Sequence, residues 1–225
     1  MFQIKICGVT RVDDVEFIAT AGADAIGINL VPTSPRYVTS DQAQAISQRA
    51  RLLGLRVFAV VMDPLPSALA EVVGSLAPDA VQLHGHETPI STEQCGMTAV
   101  VKALSWTGRP EEIDLAKLWS KEKARLPLAF LVDAYAPGVG GGTGRVARWD
   151  LLNPRPDVLS GVPMLLAGGL TAKNVAGAIE QTQCDGVDTA SGVESAAGVK
   201  CRDLVEAFVT EARRALLARQ RVSSK

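Results

Sequence analysis

Polar residues able to transfer protons stand at the ends of apolar runs in this sequence. The run IKIC ends in Cys7, LAFLVDA carries Asp133 near its end, and GVDTA carries Asp188. A thiolate can act as a base, and a carboxyl group whose pKa is raised by burial can act as an acid near neutral pH. These residue types favour general acid–base chemistry, although each could also have a purely structural role.

The thiol of Cys7 has two interpretations. A lone cysteine is more often a small buried hydrophobic residue than a catalytic group. Strand alternation, however, places Lys5 on the same side of the run as Cys7. The ammonium group could then favour the thiolate, starting from an ordinary thiol pKa of about 8.5. Asp133 is equally open, because a carboxylate at that point could be a general acid or could simply hold the glycine-rich segment that follows it.

Further side chains at the strand ends could bind a ligand. Gln82 and His84 share one face of the run AVQLH. Arg36, in SPR, could bind a carboxylate through two parallel N–H donors, although a solvated surface arginine is more common. The stretch His84-Gly85-His86 could suggest a metal, but two histidines one residue apart with no carboxylate partner are a weak signal. We therefore expect no metal site.

Glycine-rich segments follow three of the apolar runs. Gly168 and Gly169 follow VPMLLAG, Ser191 and Gly192 follow GVDTA, and GVGGGTG (138–144) follows LAFLVDA. Glycines allow backbone N–H groups to approach an anion closely, and a helix N-terminus adds a favourable dipole. Most glycines only make tight turns, but three such segments on one rim favour a phosphate-binding site.

The elements that would position these residues are short apolar runs that recur along the whole chain. Between each run and the next there is room for a crossover helix. Helix signals fill several gaps, such as Thr39 with Gln42 as a capping box, and Thr171 before an apolar i, i+3, i+4 set at 175–179. The strands are almost continuously apolar, as in a sheet buried on both faces. The eight runs begin at residues 4, 25, 56, 80, 99, 128, 162 and 186.

This pattern predicts an α/β fold, a (β/α)8 TIM barrel, with a doubly wound open sheet as the alternative. We expect residues 1–225 to form one domain and the tail RQRVSSK to be disordered. In such a barrel the active site lies at the carboxyl ends of the strands, where the residues above are found.

Composition limits the classes of partner. The chain has 225 residues, 47% of them hydrophobic, and 23 basic residues balance 24 acidic ones. Such balance offers no broad surface for nucleic acid or an anionic membrane, so a small substrate is expected. The first residues do not have the pattern of a signal peptide, and no apolar run is long enough to span a membrane, which indicates a cytoplasmic protein. Four scattered cysteines suggest neither disulfides nor a zinc site.

Eight stretches of the chain, in their order and spacing, resemble the phosphoribosylanthranilate isomerase family of tryptophan biosynthesis. They are KICGVT, GADAIGI, SPRYV, DAVQLHG, LVDAY, GGTG, LAGGL and VDTASGVE. The resemblance implies an Amadori rearrangement of N-(5-phosphoribosyl)anthranilate without a cofactor. It implies Cys7 as general base, Asp133 as general acid and Arg36 as the partner of the anthranilate carboxylate.

The same resemblance assigns the remaining site residues. The phosphate would lie on Gly168, Gly169, Ser191 and Gly192, while the GGTG segment, with Gly141 and Gly142, would close over the substrate. Gln82, His84 and Asp188 would contact or orient the substrate.

Two alternatives stay open at this point. One is another phosphosugar isomerase or epimerase on the same barrel, and the other is a non-catalytic phosphate-binding barrel. A closed barrel has no sheet edge that would force association, so both a monomer and a homodimer are compatible with the sequence.

Overall fold

Eight parallel strands close into a barrel in the computed structural model, which describes residues 2–121, 126–134 and 148–223. Each strand pairs with the next along the chain, and β1 pairs with β8 to complete the ring. The predicted barrel is thereby confirmed and the open sheet is excluded. The strands are β1 (Ile4–Cys7), β2 (Ala25–Asn29), β3 (Arg56–Val61), β4 (Ala80–Leu83), β5 (Ala99–Ser105), β6 (Ala129–Asp133), β7 (Met164–Ala167) and β8 (Gly186–Thr189).

Six α-helices among the described residues cover the outside of the barrel. They are α1 (Val12–Thr20), α2 (Ser40–Leu52), α3 (Pro66–Leu76), α4 (Pro110–Lys121), α5 (Val175–Thr182) and α6 (Arg202–Ser223). The capping box of Thr39 and Gln42 is present at the start of α2, as predicted. The helix predicted after Thr171 begins at Val175, because Asn174 takes the N-cap position and its side chain accepts a hydrogen bond from the Thr171 N–H.

Two crossovers differ from the expected strand–helix alternation. Between β4 and β5 the described chain forms a 3₁₀ segment, Pro89–Cys95, and before β7 it forms two short 3₁₀ turns, Trp149–Leu152 and Asp157–Leu159. The first of these lies in the shortest gap between consecutive strands, residues 84–98. After β8, a small antiparallel hairpin of β9 (Glu194–Ala196) and β10 (Val199–Lys200) leads into α6.

The core has two layers, set by strand alternation. Side chains such as Ile4 and Ile6 point outward and pack against the helices, while the interior of the barrel holds a separate cluster that includes Phe2 and Phe58. Polar residues also lie inside the barrel, above this apolar floor. Lys5 is the most notable, because its side chain is fully buried and its ammonium group lies 5.8 Å from the centre of the Phe58 ring.

Two further findings concern the ends and the surface. Helix α6 continues to Ser223, through most of the tail that we expected to be disordered, and residues 224–225 lie outside the described part. Within the described ranges, no helix is both long and apolar enough to cross a membrane.

Candidate active site

A cavity of about 350 Å³ opens at the carboxyl ends of the strands. It brings together most of the side chains that sequence reasoning selected. The selected residues that line it are Cys7, Arg36, Gln82, His84, Asp133, Gly168, Gly169, Asp188 and Ser191. Gly192 does not line the cavity, and Gly141 and Gly142 lie outside the described residues. Asn29, Thr33, Ser34, Val60, Met62 and Leu131 also line it and were not predicted.

The thiol of Cys7 lies within a buried charged cluster. Lys5 donates a 2.7 Å hydrogen bond to Oδ1 of Asp188, and its ammonium group acts on the charge of the nearby Cys7 sulfur. Burial alone would lower the pKa of Lys5, but Asp188 and Cys7 together raise it, so the ammonium group stays charged. Gly27 of β2 leaves the space that both groups occupy, since a Cβ there would lie 2.7 Å from the Cys7 sulfur and 3.0 Å from Nζ of Lys5.

The effect of Lys5 on Cys7 is weaker than the sequence suggested. Burial raises the pKa of the Cys7 thiol, and this outweighs the opposing effect of Lys5. Asp188 raises that pKa further, while Lys200 lowers it. Lys5 therefore acts in the expected direction, but the thiol of the free protein is neutral near pH 7. A thiol of raised pKa is a stronger base once it has lost its proton.

Gln82 and His84 form a connected pair in the cavity wall. Nε2 of Gln82 lies 2.8 Å from Nδ1 of His84, so the amide donates to that ring nitrogen and leaves the proton of the neutral imidazole on Nε2. Burial lowers the pKa of His84, although Asp133 opposes this, so the ring is neutral at pH 7. Oε1 of Gln82 is buried and has no hydrogen-bond partner within the described part of the chain.

The two histidines of the HGH stretch do not converge. His84 faces the cavity, whereas the His86 side chain is exposed and contacts Asp63. Among the residues that the structure describes, no group of three or more His, Cys, Asp or Glu side chains is placed to hold a metal ion.

Asp133 ends β6 and lines the same cavity as Cys7, three strands away around the barrel. Its backbone carbonyl accepts a hydrogen bond from the Trp106 N–H, which fixes the strand end, while its side chain is partly exposed. A carboxyl group and a thiol thus occupy two sides of one cavity. That arrangement can donate a proton to one part of a small ligand and remove a proton from another part.

The loops after β7 and β8 are held against each other. The hydroxyl of Thr189 donates to the carbonyl of Leu170 at 2.7 Å, and the same carbonyl lies so close to Gly192 that a Cβ there would clash with it. Gly192 thus permits the approach of the two loops, and its part in phosphate binding stays a prediction. Gly168, Gly169 and Ser191 remain at the cavity wall, where their backbone can face an anion.

Arg36 has a partner that sequence reasoning missed. Its Nε donates to Oε1 of Glu194 at 2.8 Å and its Nη2 donates to Oε2 at 2.6 Å. Lys200 donates to the same carboxylate at 2.7 Å. Glu194 stands in the SGVE stretch, but the sequence contains no signal that pairs it with a residue 158 positions away.

An eight-stranded barrel with acid–base side chains and glycine-rich loops around one cavity has the organisation of an enzyme that acts on a small anionic substrate. A family model described as N-(5'phosphoribosyl)anthranilate (PRA) isomerase matches residues 4–211. The chain therefore belongs to the N-(5'-phosphoribosyl)anthranilate isomerase family.

Individual relatives agree with this assignment. The N-(5'-phosphoribosyl)anthranilate isomerase of Myxococcus xanthus is 42% identical over 211 residues, which cover 94% of this chain and 96% of the relative. The crystal structure of phosphoribosyl anthranilate isomerase from Thermotoga maritima has a TM-score of 0.82 at 29% identity, covering 95% of this chain and 100% of that one. Another crystal structure, of a phosphoribosyl anthranilate isomerase in complex with reduced 1-(o-carboxyphenylamino)-1-deoxyribulose 5-phosphate, has a TM-score of 0.79 at 27% identity, with coverage of 95% and 100%.

Proposed function

We propose that this chain converts N-(5'-phosphoribosyl)anthranilate to 1-(2-carboxyphenylamino)-1-deoxyribulose 5-phosphate, an aldose–ketose isomerisation of tryptophan biosynthesis. The family assignment supports the reaction. The observation that supports the mechanism is the placement of Cys7 and Asp133 in one cavity, together with Arg36 and the loops after β7 and β8.

The reaction needs two proton transfers. Asp133 protonates the furanose ring oxygen, and the ring opens to a Schiff base between the amine nitrogen and the first sugar carbon. Cys7, as a thiolate, removes the proton from the second sugar carbon, which gives an enolamine. The enol then loses its O–H proton and the first carbon gains one, so the ketone forms. Exchange with water returns Cys7 and Asp133 to their starting states.

The remaining residues bind and orient the substrate. The phosphate lies on the loops that carry Gly168, Gly169 and Ser191, and its charge suits backbone N–H donors. Arg36 binds the anthranilate carboxylate. Gln82 offers its unpaired Oε1 to a sugar hydroxyl, and the neutral ring of His84 offers its Nε2 proton.

The activity can be tested with substrate generated in solution from anthranilate and phosphoribosyl pyrophosphate. We expect the folded protein to accelerate the loss of substrate fluorescence. Cys7→Ser and Asp133→Asn preserve side-chain size but remove the base and the acid, so each should lower kcat by about 10²- to 10⁴-fold.

Two outcomes would contradict the proposal at different levels. If the folded wild type does not accelerate the reaction, the enzymatic assignment fails and a non-catalytic phosphate-binding barrel becomes the better interpretation. If the two variants are folded and retain wild-type rates, the activity stands but the assignment of the acid and base is wrong.

A further inference from the structure

Glu194 is a buried carboxylate held between two cations beside the cavity. Its side chain is 5% exposed, and that of Lys200 is fully buried. Arg36 approaches from the segment after β2, with its side chain 22% exposed and in the cavity wall. Lys200 also donates to the carbonyl of Ala190 at 3.1 Å, which attaches the hairpin of β9 and β10 to the end of β8.

The contacts of Arg36 use only one edge of its guanidinium group. The edge formed by Nε and Nη2 carries the two hydrogen bonds to Glu194. The other edge consists of Nη1 and the second N–H of Nη2, and within the described ranges Nη1 has no hydrogen-bond partner. A carboxylate can bind to either edge of a guanidinium through two parallel hydrogen bonds. The structure therefore leaves one such edge for a ligand.

The orientation of this free edge is fixed from two sides. Glu194 holds one edge in a planar, two-bond geometry, and the α-carbon of Gly8 lies against the side chain of Arg36 so closely that a Cβ at Gly8 would clash with Cδ. An arginine on the surface would rotate freely and would lose that freedom on binding. Here the conformational entropy of the Arg36 side chain is lost on folding, before the ligand binds.

We propose that Glu194 and Lys200 are positioning residues that present the free edge of Arg36 to the carboxylate on the aromatic ring of the substrate. The proposal rests on the proposed function, since it assigns the ligand of Arg36 to that carboxylate. Glu194 sets the orientation of the Arg36 guanidinium group through its two hydrogen bonds. Lys200 shares the carboxylate of Glu194, so that this carboxylate does not fully offset the positive charge of Arg36.

The charges of the three residues explain why both partners are needed. Arg36 and Glu194 alone would form a neutral pair, and an incoming carboxylate would meet the negative charge of Glu194 at close range. With Lys200 present, the three side chains carry two positive charges and one negative charge. Hydrogen bonds from Arg36 and Lys200 hold the pKa of Glu194 below its ordinary value although burial would raise it, so the charge is present at neutral pH.

The experiment compares two unreactive ligands that differ only in the carboxylate. Anthranilate or aniline is condensed with ribose 5-phosphate and reduced with borohydride, and the dissociation constant of each product is measured by calorimetry. We expect the wild type to bind the anthranilate product more tightly. Glu194→Gln should weaken binding of the anthranilate product by about 10- to 100-fold, the range for a hydrogen bond between charged groups, and leave the aniline product unchanged.

Lys200 provides a second pair of variants. Lys200→Met should lose the preference for the carboxylate, whereas Lys200→Arg, which keeps the charge, should retain it. This pair also keeps the proposal open to refutation if Glu194→Gln does not fold. The matched control is Asp185→Asn, because Asp185 is also held between two cations, Arg155 and Arg219, but lies just before β8 at the opposite end of the barrel. It should lower stability and leave the preference intact.

Two results would overturn the proposal. One is a wild-type carboxylate preference in folded Glu194→Gln and Lys200→Met. The other is an equal loss of affinity for both ligands, which would mean that the residues only support the cavity. Failure of the proposed function is a separate result, since it would appear as absence of turnover by the wild type, whatever the binding preference.

Discussion

The clearest prediction concerns Gly27, because its lack of a side chain leaves the space in which the Cys7 sulfur and the Lys5 ammonium group lie. An alanine Cβ at this position would lie 2.7 Å from the Cys7 sulfur and 3.0 Å from Nζ of Lys5. The optimal separation of non-bonded heavy atoms is about 3.5–4.0 Å, so one of the two groups must move by about 1 Å. Lys5 is held by Asp188, so we expect the sulfur to move.

The expected loss follows from that displacement. Misplacing a reacting group by about 1 Å can lower the rate by about 10²-fold, and overpacking a core costs about 1–3 kcal/mol of stability. Gly27→Ala should therefore lower kcat by about 10²-fold with little change in KM, since the ligand-binding groups are untouched. It should also raise the pKa of Cys7, because the sulfur moves away from the ammonium group of Lys5, which lowers that pKa.

The assay combines turnover, urea unfolding and the pH dependence of Cys7 alkylation. The control is Gly74→Ala in α3, where no atom lies within 4 Å of the added Cβ, so we expect unchanged kinetics and a gain of up to about 1 kcal/mol. Folded Gly27→Ala with wild-type kcat and an unshifted Cys7 pKa would refute the reasoning, whatever its stability.

Three other variants test individual charges. Lys5→Met removes a group that lowers the pKa of Cys7, so the alkylation profile of Cys7 should move to higher pH. Lys102→Met leaves the buried carboxylate of Glu87 without its ammonium partner at 2.8 Å, which should cost about 3–5 kcal/mol in urea unfolding. Burial lowers the pKa of His84 in the folded protein below the value of about 6.5 that it has in the unfolded chain. The free energy of unfolding therefore keeps its full value above pH 6.5 and decreases as the pH falls from there through the folded pKa. In His84→Gln the decrease in unfolding free energy from pH 7.5 to 5 should therefore be smaller.

Each of these measurements has a control in the chain. Alkylation is followed in a Cys201→Ser background, because Cys201 is the free cysteine with the most access to solvent. Lys117→Met removes an exposed ion pair with Asp114 and should change stability by less than about 1 kcal/mol. His86→Gln alters an exposed ring and should leave the pH dependence of stability as in the wild type. An unmoved profile, a small loss or an unchanged slope, respectively, would contradict the three predictions.

Strand alternation explains why much of the site could be predicted. In a closed parallel barrel the strands are buried on both faces, so they appear as apolar runs, and a polar residue at the end of a run faces either the cavity or a helix. Gln82 and His84 share a face two residues apart, and both line the cavity as the alternation indicated. The same rule places Lys5 below Cys7.

Contacts between distant segments could not be predicted in this way. Glu194 and Lys200 lie in a short hairpin after β8 that has no apolar pattern. Arg36, which binds Glu194, is 158 positions earlier in the chain. The role of Gly27 was equally hidden, because a glycine inside an apolar run gives no sign of which atoms fill the space it leaves. The sequence also suggested a larger effect of Lys5 on the pKa of Cys7 than the structure supports. Charge alone was considered, whereas the burial of the thiol has the larger effect on that pKa.

Lys5 connects the stability of the barrel to its chemistry. Its ammonium group is fully buried above the apolar floor, near the ring of Phe58, and a lone cation there would be strongly destabilising. Its charged partner, Asp188, is a cavity residue. A substitution that removes the Asp188 carboxylate therefore leaves a buried charge without a partner as well as altering the site. The charges that set the basicity of Cys7 are thus also charges on which the folded state depends, which restricts how far this wall of the cavity can change while the barrel stays folded.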